Sequence, residues 1–103
     1  MIRHFVLLRF KESVTEEIKA AHYHELRALR GHLTGIEGFH AGPNISPEAP
    51  VIHGFKDGFW FDFTDEGARD AYLVDPAHQA AGARLVANAV DGIEGLIVFD
   101  IEI

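Results

Sequence analysis

The chain has 103 residues, 48% hydrophobic and 24% charged, with a formal net charge of −7 and no cysteine. Its length predicts a single domain over residues 1–103 with a modest core, and the missing cysteines exclude disulfides and thiolate metal sites. Nine Lys and Arg scattered among sixteen acidic residues make nucleic acid and anionic membrane poor partners, because phosphate surfaces demand concentrated positive charge.

The first segment, "IRHFVLLRF" (2–10), is rich in Val, Leu and Phe. It reads as a strand with His4, Val6, Leu8 and Phe10 on one face and Phe5 and Leu7 on the other. Both faces are largely apolar, as in a strand covered on both sides. No cleavage site follows, so the segment reads as structure and not as a signal peptide, and the expected compartment is the cytoplasm. No run approaches the roughly 18 apolar residues of a membrane helix. "SVTEEIKAAHYHELRALRGHL" (13–33) reads as a helix capped by Ser13 or Thr15, with Glu16 and Glu17 at the positive end of its dipole. Ile18, His22, Leu26, Leu29 and Leu33 form its apolar stripe. A short strand in "GFHAGPNIS" leads into a proline-rich irregular connection. "FKDGFWFDF" (55–63) has period two, placing Asp57, Phe59, Phe61 and Phe63 together, although Asp57-Gly58 could instead mark a hairpin turn. Phe59 and Phe61 are expected to face away from the helices and Trp60 to lie beneath them.

Thr64 or Asp65 caps the helix "EGARDAYLV", and Asp75 caps "PAHQAAGARLVANAV", with Pro76 at its first position. Asp91-Gly92 ends that helix, and "LIVFDIEI" closes the chain as a strand. The order β-α-β-β-α-β, with the second helix broken, is the ferredoxin-like pattern. It predicts an α+β fold in which two helical layers cover one face of a four-stranded antiparallel sheet. The other face would be too apolar for a soluble monomer, so a homodimer through the sheet face is expected.

Taken in order, "IRHFVLLRFKESVT", "GPNISPE", "AYLVDPAHQ" and "LIVFDIEI" resemble the stress-responsive A/B barrel (Dabb) family of dimeric α+β barrel proteins over essentially the whole chain. The "H-x-V-L-x-x-F-K" stretch from His4 to Lys11 and "DPAH" are the most specific parts. The resemblance implies a dimeric barrel with no bound cofactor. Most members have no established activity. A similar plant polyketide cyclase performs an aldol-type ring closure with a histidine and a tyrosine, which match His78 and Tyr72 here. The resemblance further implies a pocket that includes His4 and Asp100. Asp57 stands where that protein has another pocket histidine, and Leu26 where it has a pocket tyrosine. His22 and Tyr23 replace two lining aromatics. Val6, Leu8 and Phe59 complete the expected binding surface. These departures point away from the same substrate.

The residues support two readings at each position. His78 falls near the third position of its helix, where unpaired backbone donors favour neutral imidazole, the form of a general base. The alternative is a packed histidine with one hydrogen bond. Tyr72 is either a core tyrosine or a proton donor that polarises a carbonyl. His4 and Asp57 lie on neighbouring strands and could pair on the dimer-facing side, with Asp100 an alternative partner. His22 reads as a satisfied core histidine, and His24, His32, His40 and His53 as exposed. "HYH" puts His22 and His24 on different helix faces, so no metal site is expected. Three functions follow: acid/base chemistry on a small carbonyl-containing or aromatic ligand, a non-enzymatic stress-related binding or protective protein, and, sharing only the fold, a cofactor-less oxygenase.

Overall fold

Alternating side chains on the first strand divide the sheet into a closed face and an open one. The computed structural model describes residues 1–103. In β1 (Ile2–Leu8), Ile2, His4, Val6 and Leu8 are buried, whereas Arg3 and Phe5 are partly covered and Leu7 is exposed. β1 lies in the middle of an antiparallel sheet ordered β2-β3-β1-β4, with β2 at Ile36–Pro43, β3 at Asp57–Phe63 and β4 at Leu96–Glu102. Three helices, α1 (Glu16–Ala28), α2 (Glu66–Val74) and α3 (Pro76–Ala87), complete the ferredoxin-like α+β fold.

Local chemistry sets the helix ends. The Thr15 hydroxyl accepts from the Ile18 amide at 3.2 Å and starts α1. The helix stops at Ala28 and tightens into a 3-10 turn over Leu29–Gly31, short of Leu33. Gly31 and Gly35 weaken helix propensity there, and Gly35 turns the chain at φ 87°. Asp65 caps α2 by accepting from the Ala68 amide. α3 also ends early, at Ala87. The chain beyond it is drawn to the end of β1: Ala89 bridges to Phe10, and the Val90 amide donates to the Arg9 carbonyl at 2.8 Å. Asp57-Gly58 is no turn; both residues belong to β3.

The aromatic strand is oriented opposite to expectation. Phe59, Phe61 and Phe63 are 3%, 0% and 0% exposed and pack in the core with Val6, Leu8, Leu26 and Tyr72. Trp60 lies on the open face, beside Phe5 at 5.8 Å and stacked on His40 at 4.8 Å. The helices bring the larger apolar load over the odd-numbered side of β3, which sequence periodicity cannot distinguish from the even side. Ile97, Phe99 and Ile101 stand opposite Leu7, Phe5 and Arg3 and so share the open face. Phe99 is 56% exposed, and Ile97 and Ile101 are each 43% exposed. No helix is long and apolar enough to cross a membrane.

Candidate functional site

One aspartate joins two helices and thereby positions the histidine of "DPAH". The Asp75 amide donates to the Tyr72 carbonyl at 3.2 Å, closing α2. The Asp75 carboxylate accepts from the His78 amide at 3.0 Å, opening α3 immediately after. Pro76 occupies the first helical position, where its missing N–H costs nothing. The chain reverses so sharply that the rings of Tyr72 and His78, six residues apart, lie in contact, tilted by 31° with centroids 3.7 Å apart. His32 Nε2 lies 2.8 Å from the other Asp75 oxygen. The His78 backbone bond, with His32 adding to it, holds the Asp75 carboxyl below its ordinary range.

His4 approaches this pair from β1. It is 5% exposed, and its ring meets Tyr72 edge-on at 5.8 Å. Nδ1 lies 2.6 Å from Asp100 Oδ1, directly across the β1–β4 ladder. A carboxylate there fixes the proton on Nδ1. Arg69 Nη1 donates to Asp100 Oδ2 at 3.0 Å, so arginine, carboxylate and imidazole form a chain. Arg69 was not singled out in the sequence. Its signal is its position three residues before Tyr72 on one helix face.

Burial lowers the pKa of His78, and the proximity of His4 adds to the shift; the carbonyls of Tyr72 and Leu73 oppose it in part. His78 is thus held neutral chiefly by desolvation. Its Nδ1 is buried without a hydrogen-bond partner. Burial also raises the pKa of the Tyr72 hydroxyl well above its ordinary value, keeping it protonated. A neutral imidazole therefore stands against a protonated phenol, with a carboxylate-oriented imidazole beside them. Such a group can accept a proton at one point and donate one at another.

The remaining expected site residues are dispersed. Val6, Leu8, Leu26 and Phe59 are 4%, 0%, 2% and 3% exposed and belong to the core. His22 accepts from Asn88 Nδ2 at 2.7 Å and stacks on Phe10, a satisfied core histidine whose pKa burial lowers. Tyr23 packs edge-on against Phe59 at 6.3 Å, with a buried hydroxyl lacking a partner. His4 does not pair with Asp57, and neither faces away from the helices. Asp57 stands opposite Leu8 and His4 opposite Phe61, four positions along the strand, roughly 13 Å at strand rise. Asp57 instead accepts from Lys19 Nζ at 3.0 Å. His24, His32, His40 and His53 are exposed.

The three principal cavities lie away from His78. About 520 Å³ opens on the free sheet face between Phe5, Trp60, His40 and Phe55. About 430 Å³ lies beside His22 between α1 and α3, and about 190 Å³ beside Phe10, Lys19 and Asp57. Around Tyr72 the space is filled by Phe61 and Phe63, at 4.9 and 5.1 Å between ring centroids. No three His, Asp or Glu side chains converge as ligands for a metal ion.

Residues 2–103 match the family model described as Stress Responsive A/B Barrel Domain. The chain belongs to the Dabb family. A dimeric ferredoxin-like protein of unknown function from Jannaschia sp. is 34% identical, with a TM-score of 0.89 over 99% of this chain and 98% of that one. An Arabidopsis thaliana protein is 21% identical over 100% and 95% of the two chains, with a TM-score of 0.88. A hydroxynitrile lyase from Passiflora edulis is 14% identical over 99% and 92%, with a TM-score of 0.83. The last two likenesses concern the fold alone. No curated protein sequence matches this Dabb chain.

Proposed function

We propose that this Dabb protein is a homodimer that binds a small carbonyl-containing or aromatic molecule at the His78–Tyr72 pair and acts on it by acid/base chemistry. The carrying observation is the tilted contact of the Tyr72 and His78 rings, 3.7 Å between centroids, beside His4 and Asp100. His78 is the base, Tyr72 the hydroxyl that polarises the carbonyl, and His4, oriented by Asp100, the second imidazole. Binding requires the α2–α3 junction to shift enough to admit the ligand, since the space around Tyr72 is filled. The Passiflora edulis lyase shows that the fold hosts lyase chemistry. The pairing surface is the open sheet face, where Ile97, Phe99 and Ile101 stand exposed; the Jannaschia relative is described as dimeric.

The filled space around Tyr72 favours a second reading, a stress-related binding or protective dimer without catalysis. Thermal-shift titration with small aromatic aldehydes and ketones tests the first. A stabilisation lost in both His78→Ala and Tyr72→Phe supports it. Equal stabilisation of wild type and both variants refers binding to another cavity and removes the reading.

A further inference from the structure

All three lysines of this acidic chain, Lys11, Lys19 and Lys56, line one cavity of about 190 Å³. Arg9 adjoins it: its Nε lies 3.2 Å from where a Cβ on the lining residue Gly54 would stand, and its guanidinium rests over Phe55. Against these four cations stand Glu12 and Asp57 in the wall and Glu16 at its edge. Positive charge therefore prevails locally in a chain of net charge −7.

The cations are not equivalent. Lys19 is committed, donating to Asp57 at 3.0 Å and to Glu16 at 3.1 Å, with Nζ over the Phe10 ring. Lys11 donates to the Ala87 carbonyl at 2.9 Å and has no carboxylate partner. Lys56 is exposed, and neither it nor Arg9 makes a salt bridge. Lys11 and Lys56, neither in a salt bridge, share this wall with Arg9 beside them, and the few carboxylates there offset their mutual repulsion only in part. An anionic ligand would relieve the remainder. Tyr23, edge-on to Phe10 and close enough to Asp57 to feel its charge, holds a buried hydroxyl with no partner.

We propose that this cavity is an oxyanion site, taking a single phosphate or carboxylate group of a small molecule. Lys11 and Lys56 donate to the oxygens, Arg9 adds to the field, and the Lys19–Asp57 pair is a fixed wall. The volume suits one such group and its water, not a polymer. The site lies at the opposite strand end from His4, because Asp57 faces Leu8 on β1. It stands independently of the role proposed for His78.

The test is amide-resolved NMR titration of the full chain with inorganic phosphate, and separately with acetate, against sodium chloride at matched ionic strength. Saturable shifts at Lys11, Gly54 and Lys56 are expected with at least one anion, and which one responds identifies the group. Lys11→Gln with Lys56→Gln should weaken binding roughly tenfold or more, the scale of a charged hydrogen bond lost. Arg30→Gln with Arg84→Gln, an equal charge change elsewhere, should leave it unchanged. The proposal is overturned by shifts that track chloride equally, by no saturable shift, or by equal weakening in both double variants.

Discussion

Tyr72 separates packing from chemistry in a single side chain. Its ring is 1% exposed and lies 4.9, 5.1 and 3.7 Å from the rings of Phe61, Phe63 and His78. Truncation in Tyr72→Ala removes those contacts and leaves a cavity that a sheet on one side and two helices on the other cannot readily collapse. Such aromatic-to-Ala changes cost about 3–5 kcal/mol. For a domain of this size each kcal/mol lowers Tm by about 4–8 °C, so a drop on the order of 12–40 °C is expected. Tyr72→Phe keeps the ring and removes only the hydroxyl, and should cost under about 1 kcal/mol. Urea denaturation at fixed protein concentration measures both, since dimerisation would make the midpoint concentration-dependent. A loss below about 1 kcal/mol in Tyr72→Ala would refute the packing argument. A loss above about 2 kcal/mol in Tyr72→Phe would show that the hydroxyl serves the fold and is not free for a ligand.

Two further outcomes follow from burial. His78 and His22 both have pKa values lowered chiefly by desolvation, so the unfolded chain binds protons that the folded chain refuses. Stability should therefore be complete above the ordinary histidine pKa of about 6.5 and fall as pH drops below it, by at most about 1.4 kcal/mol per pH unit per histidine. His78→Asn should flatten part of that slope between pH 7 and 5; a wild-type Tm constant across the window would contradict the assignment. On the open sheet face, Phe99→Asp with Ile101→Asp should leave a folded monomer in sedimentation equilibrium, because both side chains are exposed in one chain and a charge buried at a dimer interface is costly. An undiminished dimer would place the interface elsewhere.

Much of the fold was legible in residue order alone. Period-two burial in "IRHFVLLRF", the Asp65 and Asp75 caps and the Pro76 start are local signals, and local signals survive in sequence. The same locality predicted that His22 would sit in the core. The candidate cluster was reached largely through family resemblance: six residues and a helix break separate Tyr72 from His78, and helical spacing says nothing about their contact. Strand faces were where local reading failed. Apolar side chains line both sides of "FWFDF", so period two names two faces without saying which one the helices cover.

By itself, the sequence determined element order and the helix starts, which depend on neighbours within a few residues, and the absence of thiol chemistry and an acidic charge balance, which depend on composition alone. Tertiary structure decided that His4 bonds Asp100 and not Asp57, that Arg69 completes that chain, and that three lysines distant in sequence share one cavity. Those outcomes depend on strand register and on which sheet face the helices cover, and both are set by the packing of the whole core.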